Sequence, residues 1–205
     1  MQPPDQLRTE RLLLRRWRPA DAPALEPVLD ANVAYLRAWI PWSVAEPASI
    51  PVLERRLTGY SDAFDAGREW LYGIFSPDEI DLFGGVGLYP RDESGRVPSS
   101  DATHVEIGYW LREDATGHGY VTEAAKAAAS VAATFPHFSR IEIRCDPRNA
   151  RSMAVPARLG FRYCDPRTVS ATEAVDPDSN TAVWELPLAR ITPFSGNPVV
   201  TGELI

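Results

Sequence analysis

The chain has 205 residues, 44% of them hydrophobic, which is enough for one domain with a substantial core. Its 21 Lys and Arg against 28 Asp and Glu leave a net charge of -7. No dense basic patch occurs, so direct nucleic-acid binding is not expected.

Two cysteines, Cys145 and Cys164, are too few for a disulfide framework, and neither lies in a CxxC. The N-terminus lacks the apolar core of a signal peptide, and no apolar run approaches bilayer-spanning length. A soluble cytoplasmic protein is expected, without membrane association and without a metal site.

In chain order, "RLLLRRW" at 11–17 predicts a first strand. The segment "RPADAPALEPVLDANVAYLRAW" is helical, with Asp21 a candidate N-cap, and its prolines argue against one long straight helix. After the break "IPWSVAEPASI", "PVLERRLTGYSDAFDAG" recovers helical spacing through Leu53, Leu57, Tyr60 and Phe64, and Gly67 ends it. "EWLYGIFS" and "IDLFGGVGLYP" read as a hairpin around "PDE". A polar loop at 91–101 leads to the strand "THVEIGYWLR". "RIEIRC" at 140–145, "FRYCDPRTVS" and "AVWELPLARI" are further strands, with "NARSMAVPARLG" a helical turn between the first two. The order predicts an α+β fold in which helices cover a central sheet, not the repeated βαβ of a dinucleotide fold. A single domain is expected over 1–191, followed by a Pro- and Gly-containing tail at 192–205.

The stretch "VEIGYWLREDATGHGYVTEAAKAAASVA" carries the chemistry. Its strand alternation sends Glu106 to the face opposite Val105 and Ile107. Gly117 and Gly119 permit positive φ and close approach, and the helix starting near Tyr120 presents unpaired amides, which together make an anion site. A plain glycine turn explains "GHG" equally well. The helix sequence "AAKAAASVAA" is nearly bare of large side chains, so it can pack close to the sheet. No Lys-Ser/Thr follows the glycines, which excludes a P-loop, and GxGxxG is incomplete.

With "TERLLLRRWRPADAPAL", "YLRAWIPW", "EIGYWLREDATGHGYVTEA" and "CDPRNARSMAVPARLGFR", the chain resembles the Gcn5-related N-acetyltransferase (GNAT) family, in its ribosomal-protein alanine/serine branch. The resemblance implies a GNAT-like fold, with a mixed, mostly antiparallel sheet flanked by helices. It implies acetyl-CoA as acyl donor, with coenzyme A as product and the pyrophosphate on the glycine turn. Thr116, Gly117, His118, Gly119 and Tyr120 then face the cofactor. An amide near Trp110 or Leu111, where two parallel strands splay, would hold the thioester carbonyl. The pattern departs at Asp114, where Gln or Arg is common, at Thr116, and at His118, where Arg or Lys is frequent.

By the same resemblance, Glu106 is a general base acting through water, or an anchor for the substrate ammonium; a strand-edge Glu against solvent or Arg is the alternative. Asn149 and Ser152 match "NxxS", with Asn149 orienting the pantetheine arm and Ser152 donating a proton to the thiolate. Helix capping is the alternative for both. Pro156 stands where many relatives have an acidic Tyr, leaving Tyr109 or Tyr120 as substitutes. Cys145 reads as a packed core thiol, which favours direct transfer. Trp39 and Trp42 line an acceptor cleft or pack two helices.

The implied activity is acetyl transfer to a primary amine, either a protein N-terminus or a small molecule. An inactive acyl-CoA sensor or interaction module is the alternative. Monomer and homodimer both remain open.

Overall fold

The computed structural model describes residues 1–40, 48–164 and 181–188. The described residues form a nine-stranded sheet. Its strands are β1 (Gln6–Arg8), β2 (Leu13–Arg16), β3 (Trp70–Phe75), β4 (Leu82–Asp92), β5 (Gly95–Arg96), β6 (His104–Leu111), β7 (Arg140–Cys145), β8 (Arg162–Cys164) and β9 (Ala182–Pro187). The order is β1-β2-β3-β4-β6-β7-β9-β8, with β5 paired to β4. Every pairing is antiparallel except β6–β7. This is the mixed, mostly antiparallel α+β sheet expected.

The helices are α1 (Ala22–Arg37), α2 (Ile50–Asp65), α3 (Tyr120–Ala132) and α4 (Ala150–Arg158). Alternation along the strands divides two cores. Leu13, Leu71 and Phe75 pack with Leu25, Leu29, Leu53 and Leu57 of α1 and α2. Leu14, Ile74, Val86, Val105 and Ile107 pack with Ala124, Ala125, Ala128 and Ala129 of α3. The bare alanine face lets α3 lie close to β4 and β6. Gly84 serves the same closeness within the sheet, since a Cβ there would collide with the Trp110 carbonyl.

Three local expectations are corrected. Pro23 occupies the first turn of α1, where its missing N–H is no loss, and Pro27 is accommodated inside, so one 16-residue helix runs through both. Asp21 occupies the N-cap position of α1, but its side chain makes no capping hydrogen bond there. Its carboxylate accepts from the Arg18 N–H at 2.8 Å and pairs both oxygens with Arg15 at 2.8 Å, a buried fork–fork contact. The polar loop at 91–101 is partly sheet, because β4 runs to Asp92 and turns back as β5. The expected tail at 192–205 lies outside the described residues. No described helix is long and apolar enough to cross a membrane.

Candidate active site

Gly117 and Gly119 adopt φ of +83° and +82°, left-handed values that strain any residue with a Cβ. Gly119 is the N-cap of α3, so the amides that follow it precede the first intrahelical acceptor. The turn forms one wall of a cleft of about 1440 Å³, lined by all of Thr116, Gly117, His118, Gly119 and Tyr120. Trp110, Leu111, Asn149 and Ser152 also line it, as does Trp39. A drug-sized ligand site is roughly 300–1,000 Å³, so this cleft suits a longer ligand. Trp42 lies outside the described residues.

Asp114 does not enter the cleft. Its side chain is 72% exposed and pairs with Arg112 at 2.8 Å, which turns its charge away from the turn. Thr116 donates to the Glu113 carbonyl at 2.7 Å and accepts from Arg151 at 3.3 Å. Tyr120 stacks between Phe83 and His118, at 4.8 and 5.5 Å between ring centroids, while also lining the cleft.

The opposite wall is made by the sheet. β6 and β7 are in register only at Val105–Ile141 and Glu106–Glu142, and beyond these pairs β7 is partnered by β9 alone. The strands therefore diverge along the C-terminal half of β6. Arg112 N–H donates to the carbonyl of Phe83 in β4. Peptide groups alternate sides along a strand, so Trp110 also faces β4, while Tyr109 and Leu111 turn theirs into the divergence. Of the two amides proposed from sequence, that of Leu111 is the one that faces the divergence.

At the mouth of the divergence, the Tyr109 hydroxyl donates to the Ser152 carbonyl at 3.1 Å and accepts from the Ser152 hydroxyl at 3.3 Å. Burial pushes the Tyr109 phenol well above its usual range, so it is a retained proton rather than an anion. Asn149 caps α4 by accepting the Ser152 N–H at 3.1 Å. Pro156 is buried within α4; Tyr109, on β6, brings a phenol to Ser152 from the other side. Cys145 packs its sulfur 3.5 Å from that of Met153, and burial raises its thiol pKa, which opposes nucleophilic use.

Glu106 is not among the cleft's lining residues. It ion-pairs with Arg91 at 3.1 Å and lies 4.0 Å from Arg144. It is three residues from Tyr109, roughly 10 Å along the strand.

Several partners were not legible in the sequence. Arg91 and Arg144 meet Glu106 only through the sheet register. Thr9, Arg11 and Glu123 meet at the foot of the turn: Glu123 accepts from the Thr9 hydroxyl at 2.6 Å, the Arg11 N–H at 2.9 Å and the Arg11 Nε at 2.8 Å. A Thr-x-Arg ahead of a strand and a Glu in the first turn of α3 were the available signals, and their separation of over 100 residues hid the contact.

A model of the acetyltransferase (GNAT) domain matches residues 11–162. The chain is 27% identical over 159 residues to the ribosomal protein uS5-alanine N-acetyltransferase of Escherichia coli K12, covering 78% of this chain and 79% of that one. Among solved structures it resembles RimL, the ribosomal L7/L12 alpha-N-protein acetyltransferase in complex with coenzyme A, with a TM-score of 0.72 and 21% identity over 89% of this chain and 97% of the other. Mycobacterium smegmatis RimJ in complex with CoA-disulfide gives a TM-score of 0.70 at 23% identity, covering 91% and 90%. These two likenesses establish the fold.

Proposed function

The chain belongs to the acetyltransferase (GNAT) family, and from that membership we propose that it transfers the acetyl group of acetyl-CoA directly to a primary amine, leaving coenzyme A as product. The favoured acceptor is a protein N-terminal amine, a reading supported by the likeness to the uS5-alanine N-acetyltransferase. A small-molecule amine is the alternative.

The observation that carries the proposal is the continuity of one cleft from the glycine turn to Tyr109, Leu111, Asn149 and Ser152. The residues fit acetyl-CoA: two left-handed glycines leave a phosphate room beside free helix amides, and divergent strands leave a slot for an amide-bearing arm. In this proposal the Tyr109 and Leu111 peptide N–H groups stabilise negative charge on the thioester oxygen. Glu106, acting through water, takes a proton from the acceptor ammonium. As the C–N bond forms and the C–S bond breaks, the departing sulfur takes the Ser152 hydroxyl proton, and the proton that the new amide nitrogen sheds returns through water to Ser152, whose hydroxyl contacts Tyr109 at 3.3 Å.

The test is coenzyme A release with two panels, peptides beginning in Ala or Ser and small primary amines, with mass spectrometry of the acceptor. Acetylation confined to peptide N-termini supports the favoured acceptor. Acetylation confined to small amines replaces it with the alternative.

A further inference from the structure

The segment just ahead of β2 is far from the glycine turn in sequence but forms its floor in the fold. Glu123, in the first turn of α3, would by itself place a carboxylate beneath an anion seat. Thr9, the Arg11 backbone and the Arg11 side chain all converge on it. Arg11 does more than neutralise it. Its Nη1 donates to the His118 carbonyl at 2.9 Å, so one guanidinium ties α3 to the residue between the two glycines. Its Nη2 pairs with Glu123 at 2.7 Å, and a Cβ on Gly119 would lie 3.5 Å from the same atom.

These contacts engage three of the five guanidinium N–H groups. The side chain stays 46% exposed and lines the cleft. The turn itself is poor in cations, carrying His118 between its glycines and a diverted Asp114. A backbone nest with a cation at its rim binds phosphate better than the nest alone.

We propose that Arg11 is a cofactor-binding and positioning residue, which locks the glycine turn through His118 and Glu123 and presents its remaining N–H groups to the pyrophosphate of acetyl-CoA. This rests on the acetyl-CoA reading above. Removing the charge weakens cofactor binding, while turnover at saturating acetyl-CoA changes little, because the contacts of Arg11 are to the turn and α3 and not to Tyr109 or Ser152.

The experiment is calorimetric titration of acetyl-CoA and of dephospho-CoA into wild type, Arg11→Gln, Arg11→Lys, Glu123→Gln and, as a charge control on the far strand β8, Arg162→Gln. Arg11→Gln is expected to bind both ligands about tenfold more weakly. Glu123→Gln, which keeps the guanidinium charge but loosens the pair that holds it to α3, loses less affinity than Arg11→Gln, and Arg162→Gln is unchanged. Equal affinity in Arg11→Gln, or an equal loss in Glu123→Gln, overturns the proposal. A loss seen with acetyl-CoA but not with dephospho-CoA assigns Arg11 to the 3′-phosphate and also overturns it. Where Arg11→Gln does not fold, Arg11→Lys carries the test: a point charge without the planar fork binds about threefold more weakly, and unchanged affinity overturns the proposal. A folded wild type that binds neither ligand removes the acetyl-CoA reading itself, a result distinct from tight binding that ignores Arg11.

Discussion

Tyr109 and Ser152 exchange hydrogen bonds across the divergence of β6 from β7, the phenol donating to the Ser152 carbonyl at 3.1 Å while the Ser152 hydroxyl donates back at 3.3 Å. The pair places two O–H groups from different elements at the point where the sheet opens. Ser152→Ala is expected to lower turnover by about one to two orders of magnitude, with acetyl-CoA affinity nearly kept. Tyr109→Phe is expected to lower it less, and the double variant to fall well short of the product of the two losses, because both act through one contact. Single-turnover rates for the three variants check this. Burial holds the phenol protonated beyond its ordinary range, so no loss of rate from Tyr109 ionisation is expected below about pH 10.

Gly119→Val tests the anion seat. The position has φ of +82°, where a β-branched residue is strained, and the added side chain faces Arg11. Acetyl-CoA affinity is expected to fall by at least about tenfold, roughly 1.4 kcal/mol, in calorimetry on folded protein. Undiminished affinity would move the phosphate seat elsewhere.

Glu106 separates base from anchor. Glu106→Gln is expected to slow transfer most at low pH, where the acceptor is protonated, and to recover as bulk deprotonation replaces the carboxylate. The substitution also removes the carboxylate 3.1 Å from Arg91, so the melting temperature is measured alongside. Uniform slowing across the pH profile, with a raised KM for the amine, identifies an anchor; wild-type turnover throughout removes both roles.

Most elements were legible because their periodicity was clean. Residues 140–145 were expected as a strand and are β7. The helix start at Tyr120 was signalled by two glycines that the backbone does need at positive φ. β1 and β5 were missed because strands of three and two residues carry too little alternation to register. Pro27 misled because a proline's local preference yielded to burial of Leu25, Leu29 and Leu36 along α1. Gly117, Asn149 and Ser152 were visible as a local pattern. The contacts of Glu106 and Arg11 depend on strand order and on pairs separated by most of a domain, which no local pattern encodes.

Glu142 is a structural counterpart of Glu106 on the neighbouring strand. It is fully buried, 2.8 Å from Arg140, 2.9 Å from Arg144 and 3.4 Å from His104. Burial alone would raise its pKa, but hydrogen bonding from Arg144 and the charges of His104, Arg144 and Arg140 outweigh that and hold it below the usual glutamate value. The unfolded chain therefore takes up the proton first, and the associated stability, present above the usual glutamate range, is lost as pH falls toward the lower folded value. Glu142→Gln is expected to destabilise by about 3–5 kcal/mol near neutral pH and to flatten the acid limb of the stability profile. Urea melts across the pH range check both.

The central claim is acetyl transfer within the cleft that joins Gly119 to Ser152. Its most direct test is stoichiometric: wild-type protein, acetyl-CoA and an amine panel that includes Ala- and Ser-initiated peptides, with coenzyme A release and acceptor mass followed together. The account predicts one acetylated amine per coenzyme A released, with release dependent on the amine and abolished or strongly slowed in the Ser152→Ala, Tyr109→Phe double variant. Tight, saturable acetyl-CoA binding with no amine-dependent release across the whole panel would contradict it and favour a sensor.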